Sequence, residues 1–259
     1  MSRIANAFLK GKAFIPFITC GDPDLETTKA LVLAMEKSGA DLIELGIPFS
    51  DPIAEGPVIQ KADKRALQSG TTADRIFSLV AEIRLETDIP LVFMTYINPI
   101  FTYGKARFLT RCKEVGIDGI IVPDLPYEEQ DELKGFCSES GVTLISMIAP
   151  TSRERIQMVA KEAEGFLYCV SSLGVTGERS AIGDAAMMMV EEAKKATTIP
   201  CCIGFGISNA EQAKAMASFA DGVIVGSAIV RLIAENGKDS IQPVSKFVSA
   251  MKTAIATTA

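Results

Sequence analysis

One unit recurs along the chain: a short apolar run rich in β-branched residues, a loop of Gly, Pro and Asp, then a longer amphipathic stretch. The runs are AFIPFIT (13–19), LIEL (42–45), LVFMTY (91–96), IDGIIV (117–122), TLISMI (143–148), FLYCV (166–170), CCIG (201–204) and GVIVG (222–226). They are continuously apolar and do not alternate, which is how strands read when a parallel sheet buries both faces. Helical spacing fills the gaps, over 25–38, 72–86, 105–115, 128–139, 152–164, 184–196, 210–218 and 240–256. In 72–86, for example, Ile76, Leu79, Val80 and Ile83 form one apolar stripe. Eight strand–helix units predict an α/β fold, a (β/α)8 TIM barrel spanning 1–259 as one domain. An extra N-terminal helix over 3–9 is expected to close its bottom. A doubly wound open sheet is the rival. It would more often carry G-x-G-x-x-G after the first strand, where this chain has CGDPD.

A barrel of this kind places its chemistry at the C-terminal ends of its strands. The residue inventory narrows that chemistry sharply. The chain has no histidine, so it has no Ser-His-Asp or Cys-His nucleophile, no imidazole base and no histidine-ligated zinc. No candidate strand carries a lysine, which argues against a Schiff-base aldolase. A formal charge of −6 argues against nucleic acid and acidic membrane surfaces as partners. No apolar run approaches the length that spans a bilayer, and the short run 13–18 contains Pro16 and lacks a cleavage site. The six cysteines form no C-x-x-C pair, and vicinal Cys201-Cys202 is poor disulfide geometry. They read as reduced thiols, hence a cytoplasmic chain.

Two constellations remain. Glu44 ends an apolar strand, where a carboxylate is costly unless paired or shifted in pKa. A salt-bridged structural glutamate and a catalytic one both fit at this point. The loop behind it, GIPFSDPIAEGP (46–57), has three prolines, which stiffen it, and carries Asp51 and Glu55. Late in the chain, Gly204-Phe205-Gly206 follows the seventh run, and Gly226-Ser227 follows the eighth and opens a short helix over 228–234. Glycines there let backbone N–H groups and a helix N-terminus hold a phosphate. The loop 174–177 after the sixth run reads as a cover that adds donors. Asp22 and Asp124 sit at strand ends, where they either bind backbone donors or touch the site. The methionine run 187–189 reads as helix packing.

The segments PFITCGDP, ELGIPFSDP, EGP, FMTYINP, PDLP, YCVSSLGVTG, GFGIS and GSAIV occur in this order. Together they span essentially the whole chain, which in them resembles the tryptophan synthase alpha subunit family. The resemblance implies a barrel that splits indole-3-glycerol phosphate into indole and glyceraldehyde 3-phosphate. It implies Glu44 as the main acid–base residue and Glu55 as acceptor for the indole N–H. In the family pattern an aspartate stands at the Glu55 position, so the carboxylate here lies one methylene farther from the backbone. Phe17, Tyr96, Tyr168, Thr176 and Phe205 correspond to the lining of the indole pocket or its cover. Gly177, Gly206, Gly226 and Ser227 correspond to the phosphate cradle. Asp51 and the loop 124–127, with Asp124 and Pro126, correspond to a partner contact. The implied partner is a beta subunit carrying pyridoxal phosphate, in an alpha2beta2 complex, with no cofactor or metal on this chain. A stand-alone indole-releasing lyase and a catalytically weak activator of the beta subunit are the alternatives.

Overall fold

The computed structural model describes residues 2–170, 179–204 and 206–258. Nine parallel strands form one sheet: β1 (Ala13–Thr19), β2 (Ile43–Gly46), β3 (Leu91–Met94), β4 (Gly119–Ile121), β5 (Thr143–Leu144), β6 (Met147–Ile148), β7 (Leu167–Val170), β8 (Cys201–Gly204) and β9 (Gly222–Val225). Their spatial order is β5-β4-β3-β2-β1-β9-β8-β7-β6. The two ends of that order are consecutive pieces of the single run TLISMI. Ile145 N donates to Ile120 O at 2.9 Å on one side, and Tyr168 N donates to Ser146 O at 3.0 Å on the other. The expected fifth strand is therefore broken in the middle, its first half paired with β4 and its second with β7. That stagger closes the barrel, as the shear of a closed sheet requires.

The helices are α1 (Arg3–Asn6), α2 (Leu25–Lys37), α3 (Pro57–Gln68), α4 (Ala73–Arg84), α5 (Ile97–Tyr103), α6 (Lys105–Val115), α7 (Asp131–Ser140), α8 (Arg153–Glu162), α9 (Arg179–Lys194), α10 (Ala210–Ala217), α11 (Ser227–Asn236) and α12 (Ile241–Ala256). Side chains set several starts: Asp24 accepts from Thr27 N, Thr72 from Arg75 N, and Asn209 from Gln212 N. Gly116 and Gly141 end α6 and α7 in the left-handed conformation. Two helices lie outside the sequence expectation. α3 begins with Pro57 in its first turn, directly after the stiff loop. α5 contains Pro99, also in the first turn, where a missing N–H breaks no helical bond. The third strand accordingly stops at Met94, because Tyr96 caps α5.

Alternation along each strand sorts the core into two layers. On β2, Ile43 and Leu45 face the helices, and Leu42 and Glu44 face the barrel interior. The apolar part of the interior is filled by Ala13, Ile15, Leu42, Val92, Ile121 and Phe166. Ile4 and Ala7, at α1, join this cluster and close the bottom.

Candidate active site

The interior changes character one layer up. Glu44 pairs in register with Phe17 on β1 and Val92 on β3. It is fully buried, and neither carboxylate oxygen has a hydrogen-bond partner. Among the described residues no cation pairs with it, so a salt-bridged structural glutamate is not what these residues build. Burial alone pushes its pKa from 4.5 to about 8, so the group is mainly a neutral acid at pH 7. Its titratable neighbours, Tyr168 and Cys202, are also pushed far up by burial and stay neutral.

Glycines at the strand ends make room for aromatic rings around this acid. A Cβ on Gly46 would stand 2.6 Å from Phe17 Cζ. One on Gly204 would stand 2.7 Å from the Tyr168 hydroxyl. One on Gly226 would stand 3.3 Å from Phe17 Cδ1. The Phe17 ring thus lies against the ends of both β2 and β9, and Tyr168 lies against the end of β8. Aromatic residues can occupy the mouth because their neighbours have no side chains.

The proline-rich loop is tied down by Tyr96, whose hydroxyl accepts from Ala54 N at 2.9 Å. The Phe49 ring packs on Tyr96 at 5.5 Å between centroids. This places Glu55, the next residue, half-buried with Oε2 enclosed and unpartnered. Burial raises its pKa, and neighbouring Asp63 and Tyr96 work against that rise. Asp63 is buried on α3, and its pKa is pushed up to about 8 by burial and by the charge of Glu55, with Asp22 adding to it. The sequence reading missed Asp63. Its signal was the apolar face of α3, where it falls in phase with Ile59, Ala62 and Ala66.

At the opposite rim, Gly226 precedes α11 and provides no side-chain cap, so the first amides of that ten-residue helix have no side-chain acceptor there. Gly206 has a positive φ of 77°, and among the described residues, its chain neighbours aside, no atom lies within 4 Å of where its Cβ would be. Ser227 is exposed at the start of α11. Thr176, Gly177 and Phe205 lie outside the described residues. The remaining expectations differ in exposure. Asp51 is exposed beside Ser50, whose hydroxyl donates to it at 2.5 Å. Asp124 accepts from Ile97 N at 2.9 Å and so starts α5, as a loop-structuring residue does. Pro126 lines a cavity of about 250 Å³ with Tyr127, Met147 and Arg155. Asp22 binds a side chain instead of backbone: Arg65 donates to both its oxygens, at 2.7 and 2.8 Å. In the methionine run, Met189 is buried and Met188 exposed.

The sequence profile described as Tryptophan synthase alpha chain matches residues 5–258. The chain belongs to the tryptophan synthase alpha chain family. A relative of that name from Lacticaseibacillus casei is 47% identical over 98% of this chain and 96% of its own length. The crystal structure of tryptophan synthase subunit alpha from Legionella pneumophila str. Paris superposes with a TM-score of 0.90 at 39% identity, covering 98% of both chains. A Pyrococcus furiosus chain from a structure titled for the tryptophan synthase a2b2 complex gives 0.86 at 38% identity, covering 93% of this chain and 98% of that one. Membership makes this chain a TIM-barrel lyase of tryptophan biosynthesis. Among the described residues, no helix is long and apolar enough to cross a membrane.

Proposed function

We propose that this chain cleaves indole-3-glycerol phosphate to indole and glyceraldehyde 3-phosphate, and hands the indole to a beta chain that carries pyridoxal phosphate. The carrying observation is Glu44: a fully buried, unpartnered carboxyl group that holds its proton near neutrality. The reaction needs one proton delivered and one removed. Glu44 gives its proton to the indole carbon that bears the side chain, which leaves positive charge on the ring nitrogen. The carbon–carbon bond then breaks toward the ring. The hydroxyl on the departing carbon becomes an aldehyde and returns its proton to Glu44. Atoms balance without water or any added group, and one residue can serve both steps because its pKa lies near the working pH. Glu55 accepts the ring N–H and stabilises the cation. Phe17 and Tyr168 hold the ring between them, and the amides at Gly226 and Ser227 take the phosphate, together with Gly206.

The cover residues Thr176, Gly177 and Phe205 complete this enclosure in the proposal. Asp51, Asp124 and Pro126 face the beta partner in an alpha2beta2 complex, and the six buried free thiols suit a cytoplasmic setting. The test is lyase turnover of Glu44→Gln, followed by indole release. The expected loss is about 10²- to 10⁴-fold with the fold retained by circular dichroism. Turnover at the wild-type level overturns the assignment.

A further inference from the structure

The loop that carries Glu55 runs straight into α3: Gly56 caps the helix and Pro57 opens it. Two hydrogen bonds hold the backbone around Glu55 from different elements. Gln60, in α3, donates to Glu55 O at 2.8 Å, and Ala54 N donates to the Tyr96 hydroxyl at 2.9 Å. Where Glu55 stands therefore depends on where α3 lies. The inward face of that helix is made of small residues. Ala62 clusters with Phe17 of β1 and Val230 of α11, and Ala66, one turn on, is fully buried. Methyl groups let the helix come close, but apolar contact has no direction and resists neither rotation nor sliding. Arg65 supplies the directional contact. Its Nε and Nη2 donate to Oδ1 and Oδ2 of Asp22 at 2.7 and 2.8 Å. Asp22 is only 1% exposed, in the short loop between β1 and α2, and that loop is itself pinned by Gly21 N donating to Thr28 Oγ1 at 2.9 Å. A two-armed guanidinium–carboxylate pair fixes distance and orientation together.

We propose that Arg65 is a positioning residue: its pair with Asp22 locks α3 against the end of β1 and so sets where Glu55 meets the substrate ring nitrogen. The constraints form a closed path, from β1 through Asp22 and Arg65 to α3, through Gln60 to Glu55, and back through Ala54 and Tyr96 to the strand end beside β2. The lever is long enough to matter. From Arg65 back to Pro57 the helix runs about 12 Å. A tilt of about 5° at the pair therefore moves the start of α3 by about 1 Å, a displacement that costs a catalytic group about 10²-fold. This inference rests on the proposed role of Glu55 at the ring nitrogen.

A double-substitution cycle tests it in the lyase reaction with the beta partner present. Arg65→Ala alone should lower kcat/KM about 10- to 100-fold, mainly in kcat, because the displaced group acts in the transition state. In a Glu55→Gln background the same change should cost less than about three-fold, since the group it positions is already disabled. A merely structural loss would lower both backgrounds alike. Asp22→Asn breaks one arm of the pair and leaves no buried charge unpaired, because Arg65 is 35% exposed and can turn to water. It should show the same pattern with a loss of about 3- to 10-fold in the wild-type background. Should Arg65→Ala fail to fold by circular dichroism, the cycle with Asp22→Asn decides. Equal losses in the two backgrounds, or wild-type kcat/KM in the folded single variant, overturn the proposal. Glu55→Gln alone separates the two levels: wild-type turnover there refutes the role of Glu55 and this inference with it, whereas a loss there with additive Arg65 or Asp22 effects refutes only the positioning role.

Discussion

Replacing Glu44 by Gln should make the protein more stable, and by an amount that depends on pH. Folding holds the Glu44 carboxyl at a pKa of about 8 against 4.5 for an unburied group. Between those values the folded chain binds the proton and the unfolded chain releases it. Each pH unit in this window therefore lowers stability by about 1.4 kcal/mol. The cost is absent below pH 4.5, reaches about 3 kcal/mol at pH 7, and levels off near 5 kcal/mol above pH 8. Glutamine has nearly the same shape, is polar like the neutral acid and does not titrate, so it escapes this cost. Tyr168 and Cys202 remain neutral throughout the window and cancel in the comparison. Urea unfolding of both chains at pH 5, 7 and 8.5 measures the difference directly. The gap should widen from below about 1 kcal/mol at pH 5 to about 3 and then about 5 kcal/mol. Parallel stability curves for the two chains would show that Glu44 ionises normally in the folded barrel, and the acid role would lose its physical basis.

Glu55→Asp should leave lyase turnover unchanged or lower, because losing one methylene withdraws the carboxylate from the ring nitrogen it is proposed to meet. A rise of about ten-fold or more in kcat would contradict that. Gly204→Ala places a methyl group 2.7 Å from the Tyr168 hydroxyl and should cost about 1–3 kcal/mol in urea unfolding while raising KM, as the ring is driven off its position. Unchanged stability and KM would mean that Tyr168 moves aside freely. Ile53 is 80% exposed in the loop that holds Asp51, so Ile53→Glu should weaken assembly with the beta chain by about 1–3 kcal/mol, read by titration of the partner. An unchanged Kd would place the interface elsewhere.

The barrel was legible because burial on both faces leaves a distinct trace: AFIPFIT and GVIVG have no polar alternation to confuse them with surface strands. Glu44 stood out for the complementary reason, as a carboxylate at the C-terminal end of such a run. The fifth strand was not legible as two pieces, because TLISMI is uniformly suited to a strand and its break arises from closure with β4 and β7, which no local pattern records. α3 and α5 were hidden by prolines that read as loop residues but sit in first turns. Missing α3 also hid Asp63. A lone aspartate in KADKRAL looks like a surface charge until the helix is drawn and its phase turns inward. The absence of a salt bridge to Glu44 was likewise invisible, since it depends on what every neighbouring strand fails to supply.

The apolar floor formed by Ile15, Leu42 and Phe166 lies beneath Glu44, Gly46 and Gly204, on the same strands or at their starts. This stacking separates two kinds of inherited variation. A change in the floor yields a more fragile chain with the same chemistry, and selection sees it as lower abundance. A change one layer up alters what the mouth accepts while the floor keeps the chain folded. Descendants of such a barrel can therefore explore new ligands by drift in a handful of rim positions, without first crossing a generation of unstable intermediates.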